Sequence, residues 1–151
     1  MESLTGFAVG KRDTHLLKQS VSASVYLASI TAIGFTLGFG FFGEMIVELL
    51  VVEESARETA IAWLPWVIAA PLIGIWSFLL DGIFIGATQT CSMRNGMLVS
   101  LLCFMVCASV LVPIWGNHGI WIAYFVLLIA RTVTLGLKWH LVLLATKQGK
   151  S

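Results

Sequence analysis

The chain has 151 residues, 58% of them hydrophobic and only 11% charged, with a mean hydropathy of +0.94 and a formal net charge of +1. Soluble domains carry about a quarter of their residues as charged side chains, so most of this chain must have lipid as its solvent. A near-neutral balance with no basic run interleaved with aromatics excludes a nucleic-acid partner.

Residues 1–20 are short, polar and basic, with Gly10-Lys11-Arg12-Asp13 ahead of His15 and Lys18. They lack the basic and apolar regions of a signal peptide and read as the end of a preceding helix followed by a loop. Asp13 is placed to cap the next helix by accepting backbone N–H groups. From Val21 to Phe42 no charge appears, and about 20 apolar residues cover the hydrocarbon core of a bilayer. Gly34 and Gly38 form a small-xxx-small pair suited to close helix packing or, with Gly40, to a hinge. Gly43–Glu58 carries five glutamates against Arg57 alone, which reads as a continuing or interfacial amphipathic segment with a solvated acidic face.

The second span covers about residues 59–87. Trp63, Pro65 and Trp66 stand at its start, where aromatic rings favour the headgroup level. Pro71 predicts a kink or local unwinding near residues 67–71. Asp81 follows, flanked by Gly82 and Gly86, a second close-packing pair. After a polar turn over Thr88–Arg94, a third span covers 95–115, with Pro113 and Trp115 near its end. Gly116-Asn117-His118-Gly119 reads as a tight turn with two glycines free to take positive φ. The fourth span covers 120–138 and contains Arg131; residues 141–151 form a short cytoplasmic tail.

Four spans put both ends of the chain on one side. Lys11, Arg12, Lys18, Arg94, Lys138, Lys147 and Lys150 fall on that side and Arg57 alone on the other, so the positive-inside rule makes both termini cytoplasmic. Asp81 then lies about 9 Å inside the cytoplasmic end of its span, and Arg131 about 10 Å inside the end of its own, at 1.5 Å per residue. The two charges share a level. An ionisable residue in hydrocarbon is a functional candidate by default, and three readings stand: a structural ion pair, an Arg131 that snorkels to the phosphates, or a direct role in ion or substrate coupling. No metal or cofactor is expected. Cys91, Cys103 and Cys107 form no CxxC and read as packing residues, and His15, His118 and His140 are not placed to ligate a haem.

The order Gly10-Lys11-Arg12-Asp13, Leu80-Asp81-Gly82-Ile83-Phe84-Ile85-Gly86-Ala87, Met93-Arg94-Asn95-Gly96-Met97, Gly116-Asn117-His118-Gly119-Ile120-Trp121-Ile122-Ala123, Ala130-Arg131 and Thr134-Leu135 resembles the C-terminal part of multidrug and toxic compound extrusion (MATE) transporters of the DNA-damage-inducible, DinF-like subgroup. The resemblance covers about Gly6 to Lys138. It implies an all-α integral membrane protein whose four spans are the last four of a twelve-helix, two-lobe architecture. It implies a secondary-active antiporter of the bacterial inner membrane, exporting organic small molecules in exchange for protons or sodium ions. The N-terminal lobe, with its coupling acidic residue, has no counterpart here, so the chain is expected to be inactive alone and to need that lobe as partner. The other reading is a stand-alone four-helix membrane scaffold or small subunit.

Overall fold

The computed structural model describes residues 1–148; Gly149, Lys150 and Ser151, the end of the predicted tail, lie outside the described residues. Those described form helices and connecting turns only: α1 (Glu2–Gly10), α2 (Thr14–Leu50), α3 (Glu54–Gly86), α4 (Thr90–Trp115), α5 (Asn117–Leu137) and α6 (Trp139–Gln148). Helices α2 to α5 supply four candidate membrane spans by length and composition. The protein is therefore a multi-pass membrane protein.

Each helix end has an identifiable cause. Asp13 Oδ1 accepts from the backbone N–H of His15 at 2.8 Å and of Leu16 at 3.0 Å, which starts α2 well ahead of the uncharged run and satisfies donors that the first turn leaves orphaned. Helix α1 stops as the Asp13 N–H returns to the Ala8 carbonyl with Arg12 at φ 56°, and α3 stops the same way, the Gln89 N–H returning to Phe84 with Thr88 at φ 58°. This is the left-handed C-terminal motif that ordinarily recruits glycine. It compresses the polar turn expected over Thr88–Arg94, because α4 resumes at Thr90.

At the opposite end, α2 runs to Leu50, through the stretch expected to be interfacial. There Arg57 donates from Nε and Nη2 to the Val51 carbonyl, at 3.3 and 3.1 Å. A cation on the negative end of a helix is favourable, which accounts for the lone basic residue among the glutamates. Helix α3 continues across Pro65 and Pro71, so of the kink or local unwinding expected near residues 67–71 the unwinding does not occur. Pro71 frees the carbonyl of Val67, and the adjacent Ile68 carbonyl takes an extra bond at 3.1 Å from Thr36 Oγ1 of α2. A neighbouring hydroxyl is the kind of partner that makes a proline tolerable in an apolar helix.

The helices pack as two hairpins, α2 with α3 and α4 with α5, joined where α3 meets α5. Along most of their length they present Phe, Leu, Ile and Val side chains outward, as spans facing lipid must. The main buried cluster sits at one end. It gathers Ala8 of α1, Leu17 of α2, Ile83 and Phe84 of α3, Ala87, Leu135 of α5 and Val142 of α6. The short helices α1 and α6 thus close the end of the bundle at which α3 and α5 terminate.

Candidate functional site

Helices α3 and α5 are both odd members of an up-and-down series, so they run in the same direction. Asp81 and Arg131 each lie a turn and a half before the end of their helix, and the shared depth brings them together. Arg131 Nε donates to Asp81 Oδ1 at 3.0 Å, and Nη2 lies 2.8 Å from Oδ2. Both side chains retain 14% exposure. A side-on, bidentate guanidinium–carboxylate pair is the strongest form of this contact because both oxygens are engaged and the fork fixes the angle.

Nearby hydroxyls do not extend the pair into a larger polar site. Thr132 bonds the Leu128 carbonyl, Thr134 the Arg131 carbonyl and Ser100 the Gly96 carbonyl, each back onto its own helix. Among the described residues no three His, Cys, Asp or Glu side chains converge. Each charge is neutralised by the other across two helices that share a direction.

The other predicted residues are sorted by their surroundings. A Cβ on Gly86 would run into the Glu2 carbonyl and the Thr5 side chain, and one on Gly82 would come within 3.3 Å of Met1, so this pair admits α1 against α3. Gly34 and Gly38 have nothing within 4 Å of an added Cβ. Their packing role is not met inside this chain; they line an open apolar groove of about 610 Å³ on α2 with Phe35, Phe39 and Phe42. Besides Gly86, close contacts also lie at two glycines not assigned a packing role from the sequence. Gly43 would meet Leu64 at 2.7 Å, and Gly119 would meet the backbone of Leu111 at 2.5 Å. Gly119 belongs to the first turn of α5, so only Gly116 of the expected turn takes a positive φ, 57°.

His118 is likewise more than a turn residue. Its ring centroid lies 4.5 Å from Trp63 and 5.8 Å from Trp66, and Trp66 also packs against Trp121 and Phe125. The spacing was a usable signal: His118, Trp121 and Phe125 fall at i, i+3 and i+7 on one helix face, and Trp63 and Trp66 repeat the interval on α3.

An up-and-down helical bundle with lipid-facing surfaces and an ion pair between its spans defines a polytopic membrane protein. The family model described as MatE matches residues 1–114, which includes Asp81 and stops short of Arg131. The chain is also 35% identical over 140 residues to the DNA damage-inducible protein F of Escherichia coli (strain K12). It belongs to the MatE family, as a DinF-like member. That alignment covers 93% of this chain and 30% of the E. coli protein, so the chain spans about a third of the length of that relative. No solved structure matches it.

Proposed function

We propose that the chain is part of a secondary-active exporter of organic compounds, driven by the counterflow of protons or sodium ions, and that it transports only together with the helices of a second lobe. The match to the MatE family over residues 1–114 carries this reading. Alternating access works by rocking one bundle against another around a site between them, and four spans supply one side of such a machine. Within it, Asp81 and Arg131 serve as a brace. Each is the other's counter-charge, and a group so engaged must break a bidentate contact before it can take up an ion. The placement of seven Lys and Arg residues at one end supports a bacterial inner-membrane orientation with both ends in the cytoplasm.

The test is a chimera in which this chain replaces the matching segment of the E. coli DNA damage-inducible protein F. Vesicles carrying the chimera are expected to move a fluorescent lipophilic cation when a proton or sodium gradient is imposed, and vesicles carrying the chain alone are not. A chimera present at normal abundance that moves no more dye than empty vesicles would overturn the transporter reading and leave a membrane scaffold in its place. Transport by the chain alone would overturn the need for a second lobe.

A further inference from the structure

Helices α4 and α5 pack against each other more extensively than any other pair, yet they leave a crevice of about 250 Å³ near the end of the bundle at which α3 and α5 terminate. It is lined by Arg94, Met97, Leu98 and Leu101 of α4 and by Leu127 and Arg131 of α5, with Ser100 at its floor. The Ser100 hydroxyl is already bonded to Gly96, which leaves the two guanidiniums as the only charged groups on an otherwise apolar wall. Arg131 is balanced by Asp81 through Nε and Nη2, which leaves Nη1 unused by that carboxylate. No ion pair among the described residues involves Arg94. Two guanidiniums and one carboxylate leave one positive charge at the mouth of the crevice. Met97, Leu98 and Leu101 are each about half exposed, opening the wall to the surrounding hydrocarbon.

We propose that this crevice binds one anionic phospholipid. Its phosphodiester is held by Arg94 and the free edge of Arg131, and an acyl chain lies along Met97, Leu98, Leu101 and Leu127. A monoanionic headgroup matches the unbalanced charge, and a basic pocket between spans at a positively charged membrane face is the setting in which such headgroups are recognised. Arginine suits the task because its planar fork grips phosphate oxygens in pairs. The apolar wall selects a lipid over a soluble phosphate. This site does not depend on the transport reading.

The chain in a zwitterionic detergent, examined by native mass spectrometry, tests the proposal with dioleoyl phosphatidylglycerol against dioleoyl phosphatidylcholine. Phosphatidylglycerol is expected to remain bound about fivefold more tightly, and Arg94→Gln to reduce it to the phosphatidylcholine level, as loss of one basic contact near an anionic headgroup should. Arg131→Gln would strand Asp81 and confuse folding with binding, so Leu101→Trp is the second variant. It fills the crevice with both charges intact and should weaken retention of phosphatidylglycerol. Equal retention of the two lipids, unchanged retention in either variant, or an equal loss in Lys147→Gln, which would reveal only a generally basic surface, overturns the assignment. So does displacement of the lipid by an equal concentration of chain-free glycerophosphoglycerol.

Discussion

Removing both members of the Asp81–Arg131 pair should cost little more than removing either one. At 2.8 Å and an effective dielectric of about 20, two unit charges attract by about 6 kcal/mol, an upper bound from which desolvation of both groups must be subtracted. Breaking a buried pair by deleting one partner costs about 3–5 kcal/mol, because the survivor is left charged and unpaired. Asp81→Asn and Arg131→Gln should each therefore lower stability by about 3 kcal/mol. The double variant should lose little more than either single, giving a coupling energy of about 2–3 kcal/mol. For comparison, hydrogen bonds between membrane helices average about 0.6 kcal/mol by the same kind of cycle. Reversible unfolding of the four proteins in mixed micelles, followed by tryptophan fluorescence, measures the cycle. A coupling energy at or below about 0.6 kcal/mol would show that the contact does not brace α3 against α5.

Further expectations concern the close approaches and the helix ends. Gly119→Ala should destabilise the chain by at least about 2 kcal/mol in the same micelle assay, since its Cβ would meet the Leu111 backbone, which has nowhere to move. Gly34→Ala should be neutral or stabilising by up to about 1 kcal/mol, because that site is open and alanine is the better helix former; a loss there would show an occupied α2 face. Thr88→Gly should raise the unfolding midpoint, since a β-branched residue at φ 58° is strained by about 1–2 kcal/mol that glycine avoids; a lowered midpoint would contradict the left-handed closure of α3. The Leu16 N–H holds the Asp13 carboxyl below its ordinary value of 3.8, with the His15 N–H and nearby cationic groups adding to the effect. Because the folded value lies below the unfolded one, the cap contributes above pH 3.8 and is lost as pH falls through the lower folded value. The amide resonances of His15 and Leu16 should accordingly titrate with a midpoint below 3.8, and a midpoint at or above it would mean no cap.

What could be read in advance depended on whether the signal was local or relational. Run length and charge placement define the spans, because the cost of a charge in hydrocarbon is paid residue by residue. Depth could be counted along the chain, so the common level of Asp81 and Arg131 followed from counting back to the nearest helix end, and α3 and α5 run the same way. Glycine roles are relational. Gly34–Gly38 and Gly82–Gly86 share one spacing, yet only the second pair meets a neighbouring helix, and Gly43 and Gly119 hold further tight contacts, because spacing shows that a face is smooth and not whether anything lies against it. Pro71 predicts a kink or local unwinding from its missing N–H; the helix does not unwind, and the Thr36 hydroxyl of α2, 32 positions from Ile68, bonds the carbonyl beside the one that Pro71 frees. His118 looked like a turn residue because the tryptophans around it belong to a distant segment.

The buried cluster at the closed end has a bearing on how the protein is made. Its members begin at Ala8 and end at Val142, so the cluster cannot be complete until nearly the whole chain has left the ribosome. Until α5 and α6 are made, Leu17, Ile83 and Phe84 lack the Leu135 and Val142 side chains that complete their cover. A chain ended before Leu135 would lack both residues that α5 and α6 add to the cluster and would leave this end of the bundle open.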